Sequence, residues 1–157
     1  MNNALVAPIP LRAFEDSLPM ALMRAREAVM RYFRPVLSEH DLTEQQWRVL
    51  RALRDAEGPM SVGELAERTF LLGPSLSRML ASMDERGVIE RAAASDARRA
   101  EISISTRGLE LVSEIAPSSE QAYGRIDALL DPGELDVLYR LLAKLSTDDQ
   151  PTDEQPP

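Results

Sequence analysis

Residues 61–107 read SVGELAERTFLLGPSLSRMLASMDERGVIERAAASDARRAEISISTR, and the reading of this stretch decides the fold. Ser61 with Glu64 has the spacing of a capping box, so a short helix starts there and runs through Leu65 and Ala66. Gly73-Pro74 opens a second helix with proline at the favoured first position, and Gly87 is a natural C-terminal cap for it. Residues 88–92 and 101–105 read as paired strands, and Ile102 and Ile104 alternate as a half-buried strand requires. The loop between them holds Asp96, Arg98 and Arg99. Two helices joined by a tight turn and followed by an arginine-tipped β-ribbon can set a helix in the major groove and a finger in the minor groove. Residues 38–107 are therefore assigned to a winged helix-turn-helix that binds double-stranded DNA.

Outward from this unit the pattern is helical. An apolar stripe through Leu18, Leu22, Ala25, Val29, Tyr32, Phe33 and Val36 predicts a helix from about residue 16 to 38, bent or ended by Pro35. Thr43 with Gln46 forms a capping box for a helix through Trp47, Leu50 and Leu53, closed at Gly58-Pro59. Thr106 starts a long helix through Leu109, Val112 and Ile115, expected to kink near Pro117 and resume through Ala122, Ile126 and Leu129. Asp131-Pro132-Gly133-Glu134 caps a last helix carrying Leu135, Leu138, Leu142 and Leu145.

The expected fold class is mainly α with a small β-wing. The reader at 38–107 is flanked by terminal dimerisation helices at 14–37 and 108–146. Residues 1–13 form an N-terminal arm, and the acidic, proline-rich residues 147–157 are expected to be a disordered tail. A single copy offers little surface on which to bury the terminal apolar stripes. A homodimer solves this, and its two-fold axis would present two recognition helices to a pseudo-palindromic operator.

Composition narrows the function classes. The chain of 157 residues has no cysteine, which excludes disulfides, thiolate metal sites and cysteine nucleophiles. The opening MNNALVAPIPLRAFED lacks a basic patch before an apolar run, so no secretory leader is expected. No apolar run approaches the ~18 residues of a membrane span, and a cytoplasmic protein is expected. His40, the single histidine, has no triad context, and no glycine-rich phosphate loop occurs, so no catalytic residue, metal or cofactor is expected.

The net charge of −8 argues superficially against DNA, yet its distribution does not. Residues 1–60 carry eight arginines against eight acids, and residues 61–107 carry seven against seven. Residues 108–157 carry three basic groups against eleven acids, which accounts for the whole excess. A neutral reader must rely on a few placed arginines rather than a broad positive field. The competing reading is a winged-helix protein-interaction module without strong DNA affinity.

Individual residues carry two readings each. Ser75, Ser77 and Arg78 follow Gly73 and Pro74 in the first turns of the recognition helix, where side chains meet base edges; otherwise they form an ordinary solvated face. Arg98 is assigned to the minor groove and Arg99 to phosphate, with Asp96 bracing the Arg98 guanidinium. Arg26 falls at the border of the apolar stripe between Leu22 and Phe33, whereas Arg24, Arg31 and Arg34 point elsewhere. A partly shielded arginine needs an anion, either an internal acid or a carboxylate-bearing ligand. Trp47 packs in the core or walls a pocket. His40 follows a helix end, where solvent or the helix dipole accounts for it.

The Asp96-Ala97-Arg98 element and the Ile-Ser-Ile-Ser-Thr-Arg-Gly run at 102–108 resemble the MarR-type winged helix-turn-helix regulators, a resemblance covering roughly residues 16–146. Ser105 stands where that family commonly has threonine. The segment SLPMALMRAREAVMRYFRPVLSEHDLTEQQWRVLRAL resembles the branch that controls homoprotocatechuate (3,4-dihydroxyphenylacetate) degradation operons. Other members of the family control efflux or stress genes. The resemblance implies a homodimeric repressor that leaves its operator when a small aromatic carboxylate binds between the dimer frame and the reader. Arg26, Phe33, His40 and Trp47 are the candidate ligand residues.

Overall fold

A computed structural model of the chain describes residues 11–92 and 100–146. Six α-helices and three short strands follow in the order α1 (Leu18–Glu39), α2 (Glu44–Arg54), β1 (Met60–Ser61), α3 (Val62–Thr69), α4 (Gly73–Glu85), β2 (Ile89–Ala92), β3 (Glu101–Ile104), α5 (Thr106–Asp127) and α6 (Glu134–Ser146). The chain divides into two compact units, residues 1–119 and 120–157.

In the first unit, local chemistry sets the helix boundaries. Thr43 and Gln46 cap α2 reciprocally, and Ser61 and Glu64 do the same for α3. Helix α4 begins at Gly73, so Pro74 is its second residue rather than its first, still within the turn whose N–H groups lack intrahelical acceptors. After α4, Gly87 takes φ +70°, its N–H donates to the Asp84 carbonyl, and the Val88 N–H donates to that of Met83. This pair of backbone bonds is the left-handed helix ending that glycine favours.

The sheet is antiparallel, with β3 between β1 and β2. Ile102 faces Arg91 on one side and Met60 on the other. The strand β1 has no counterpart in the sequence reading, because two residues are too few to show a period. The core lies where the sheet meets the short helices: Leu50, Leu65, Leu76, Leu80, Met83, Ile89 and Ile102 are all fully buried. Ser105 joins the sheet to α5. Its hydroxyl donates to the Gly87 carbonyl (2.7 Å) and accepts from the Gly108 N–H (3.0 Å). Gly108 is obligatory here, since a Cβ would lie 2.1 Å from the Val88 carbonyl oxygen.

Several boundaries differ from expectation. Pro35 neither ends nor interrupts α1, which continues to Glu39. Pro117 likewise lies inside an unbroken α5. Proline removes one hydrogen bond and crowds the preceding turn, and a long helix packed elsewhere along its length can absorb that loss. Helix α2 ends at Arg54, before Gly58-Pro59: the Asp55 N–H still donates to the Arg51 carbonyl, but its backbone turns out of helical geometry at ψ 3°.

In the second unit, Glu134 accepts from the Asp131 N–H (2.6 Å) and so caps α6. No residue of α6 is buried. Val137, Leu138, Tyr139, Leu141 and Leu145 are each more than two-fifths exposed, and Leu129 before the helix is also exposed. In the first unit the stripe on α1 is partly open too: Phe33 and Leu37 are buried, while Leu18, Leu22 and Met23 are exposed.

Candidate nucleic-acid interface and ligand site

Helix α4 sorts its residues by face. Leu76, Leu80 and Met83 recur at helical spacing and are buried. The opposite side presents Pro74 and Arg78 to solvent, with Ser75 and Ser77 on the shoulders, all four exposed. Gly73 is exposed at the first position. The outward face therefore offers two hydroxyls that donate or accept and one guanidinium able to grip a guanine edge. Asp84 and Glu85 occupy the other end of the helix, so an anion would be favoured only at its N-terminal half. Asp96, Arg98 and Arg99 lie outside the described residues.

Two arginines hold the reader in place. Arg48 donates to the Thr69 carbonyl at the end of α3 (2.9 Å). Arg86, just after α4, donates to the Asp41 carbonyl (2.7 Å) and to that of His40 (3.4 Å). The turn between α1 and α2 is thus tied to the far end of α4. His40 is half-buried at the end of α1, where its Nδ1–H donates to the Val36 carbonyl (2.9 Å).

Arg26 belongs to a four-residue charge cluster. It donates to Glu27 (2.8 Å) and Glu44 (2.6 Å), while Arg34 donates to the other oxygens of the same two acids (2.5 Å each). The internal ion pair weighed for Arg26 is present, but the expected geometry needs correction on two points. Arg34 does not point elsewhere; it shares both acids, being eight residues and about two turns along the same face. Nor is Arg26 shielded, since 41% of its side chain is exposed. Burial pushes the Glu44 carboxyl up, but hydrogen bonds from Arg34 and Arg26 outweigh it and hold the group below the usual range. The Arg34 guanidinium is raised, first by its bond to Glu27 and then by that to Glu44. Arg26, Glu27, Arg34, Leu37, Thr43 and Glu44 line a polar concavity of about 450 Å³.

Trp47 and Phe33 are both buried, at 8% and 6% exposure. Arg51, which the sequence reading overlooked, lies over the Trp47 ring with its guanidinium carbon 5.8 Å from the centroid. Its Nε is shut from solvent and has no acceptor among the described residues. The four-residue spacing from Trp47 to Arg51 is the signal that would have found it.

Residues 40–100 match the MarR family. The chain is 41% identical over 129 residues to the homoprotocatechuate degradative operon repressor of Escherichia coli, covering 81% of this chain and 86% of that protein. It is 32% identical over 139 residues to the HTH-type transcriptional regulator FarR of Neisseria gonorrhoeae, covering 88% and 94%. Among solved structures, NadR in complex with 4-hydroxyphenylacetate superposes with a TM-score of 0.74 at 32% identity, covering 90% of this chain and all of that one. The chain belongs to the MarR family of winged-helix transcriptional regulators.

Proposed function

We propose that this protein is a homodimeric transcriptional repressor of an aromatic-acid catabolic operon, acting in the cytoplasm and relieved by a small aromatic carboxylate. The outward face of α4, with Arg78 between Ser75 and Ser77, carries the DNA reading. The open faces of α1 and α6 support pairing with a second copy. Among the described residues no helix is long and apolar enough to cross a membrane. The relative named for the homoprotocatechuate degradative operon, and the neighbour crystallised with 4-hydroxyphenylacetate, point to a hydroxyphenylacetate-type effector.

Two cations compete for the effector's carboxylate. Arg26 is already neutralised by Glu27 and Glu44, so an acid entering there must displace a glutamate. The Arg51 Nε is buried beside an indole with no acceptor among the described residues, which suits an aromatic acid: the nitrogen would meet the anion and the ring would meet the ring. We therefore assign the carboxylate to Arg51, the aromatic surround to Trp47 and Phe33, and to Arg26 the polar rim with its glutamates. Binding can release DNA only if it prefers one placement of the two recognition helices. Such coupling is typically ~1–3 kcal/mol, a shift of roughly 5–150-fold in operator affinity.

Calorimetry with 4-hydroxyphenylacetate and 3,4-dihydroxyphenylacetate tests this. Wild type binds, Arg51→Gln loses affinity by tenfold or more, and Arg26→Ala loses less. Equal affinity in wild type and Arg51→Gln would remove Arg51 from the site. Equal affinity with and without operator would remove the switch.

A further inference from the structure

The turn between α3 and α4 is built against its own stability. Both helices end in the same pattern of backbone bonds. Gly87 N–H donates to Asp84 and Val88 to Met83 after α4; Phe70 N–H donates to Glu67 and Leu71 to Ala66 after α3. The left-handed residue is glycine in the first case and phenylalanine in the second, at φ +54°. A side chain there meets a conformation that favours glycine. Phe70 gains nothing from the interior in return, being 90% exposed.

Two residues further on the paradox repeats. Helices α2 and α3 begin with complete capping boxes, whereas the N-cap of α4 is Leu72, whose side chain caps nothing. Leucine is among the poorest residues at that position. It too faces outward, at 78% exposure. Phe70 and Leu72, with Gln45, Ser75 and Met79, border an apolar concavity of about 480 Å³. From Thr69 to Ser77 the chain carries no charge.

We propose that Leu72, supported by Phe70, reads thymine through its C5-methyl group in the major groove. The inference rests on the DNA-binding reading above. Leu72 immediately precedes Gly73 and Pro74 and borders the same concavity as Ser75, so it stands beside the N-terminal turn of α4 that this reading sends to the base edges. The apolar group on a major-groove edge is the thymine methyl, and an uncharged tip is suited to it where a charged one would seek phosphate. This explains why an exposed leucine occupies a capping position and an exposed phenylalanine a glycine position. Each is retained for what it touches outside the chain.

The experiment uses the full-length protein and a duplex selected by it from a random library. Its counterpart carries deoxyuridine for thymine at the half-site positions, which deletes the methyl and keeps the pairing. Wild type should bind the uridine duplex more weakly by about fourfold per contacted methyl, the equivalent of one buried methylene. Leu72→Ser should bind the thymine duplex as weakly as wild type binds uridine, and should no longer distinguish the two. Its melting temperature should be equal or higher, because serine restores a cap. Phe70→Gly should also melt higher, with a smaller loss of discrimination. Lost discrimination without lost stability is an outcome that a purely structural role does not produce. Wild type binding both duplexes equally, with a normal salt dependence, overturns the methyl reading alone. Undiminished discrimination in Leu72→Ser overturns it as well. A change in self-association on Leu72→Ser, with discrimination intact, would assign the patch to protein contact and overturn the proposal. Failure of wild type to select any duplex removes the DNA reading and this inference with it.

Discussion

Helices α4 and α6 have the same length, 13 residues, and opposite fates. Helix α4 spends Leu76, Leu80 and Met83 on the interior of its own unit and turns serines and an arginine outward. Helix α6 carries a leucine-rich stripe and buries none of it. One helix is completed by its own chain; the other leaves its apolar stripe open. The difference is what we expect if α4 reads DNA and α6 pairs with a second copy, as proposed above.

Breaking that contact should have the largest effect. Leu138→Asp with Leu142→Asp removes two leucines from each copy, and each fully buried leucine contributes ~1.5–3 kcal/mol. Sedimentation should show monomer or aggregate for the double variant and dimer for wild type. A wild-type monomer, natively folded at micromolar concentration, would contradict the assignment.

The reader's interior provides the contrast. Leu80→Ala should lower stability by about 2–5 kcal/mol, as expected of a fully buried leucine. Gly108→Ala should cost a further class of strain, roughly 1–3 kcal/mol, because the new methyl meets a backbone carbonyl that cannot retreat. Thermal unfolding at several protein concentrations sharpens the distinction. Substitutions on α6 should make the midpoint depend more steeply on concentration, whereas Leu80→Ala should shift all curves alike.

Much of the first unit was legible in the sequence because its signals are local. The capping boxes at Thr43 and Ser61, the glycine at 87 and the alternation of Ile102 and Ile104 each depend on residues within a few positions of one another. The charge cluster was not legible. Arg34 and Arg26 converge on Glu44 only because α1 and α2 pack together, and a helical wheel drawn on α1 alone cannot show an acid on its neighbour. Arg51 escaped for a related reason: an arginine among many reads as surface until its Nε proves to be buried. The left-handed Phe70 was hidden because nothing in the sequence marks a glycine position filled by another residue.

On the reading face, Arg78→Ala should weaken discrimination between operator variants by about 1–3 kcal/mol if it grips a base. Stability should stay within about half a kcal/mol, since Arg78 is exposed. Competition binding with single-base operator variants checks the first, and thermal melts the second.

The smallest expected effect lies where α1 meets α2. Glu44 has a depressed carboxyl pKa in the folded protein, so its contribution to stability is present above the ordinary glutamate value of about 4.3 and is lost as pH falls through the lower folded value. Glu44→Gln should therefore be less stable than wild type near neutrality, by under about 1 kcal/mol for so exposed a network. The gap should close in acid. A gap that is independent of pH would show that the ion cluster does not carry the difference.

The claim that one helix reads while the other pairs meets its most direct test in a single titration. A palindromic duplex selected by the protein is titrated with full-length chain at a series of salt concentrations and followed by fluorescence anisotropy. The account predicts saturation at two chains per duplex and an affinity that falls steeply with salt, as counterions released by phosphate-contacting arginines demand. Saturation at one chain per duplex, or binding indifferent to salt, would contradict it.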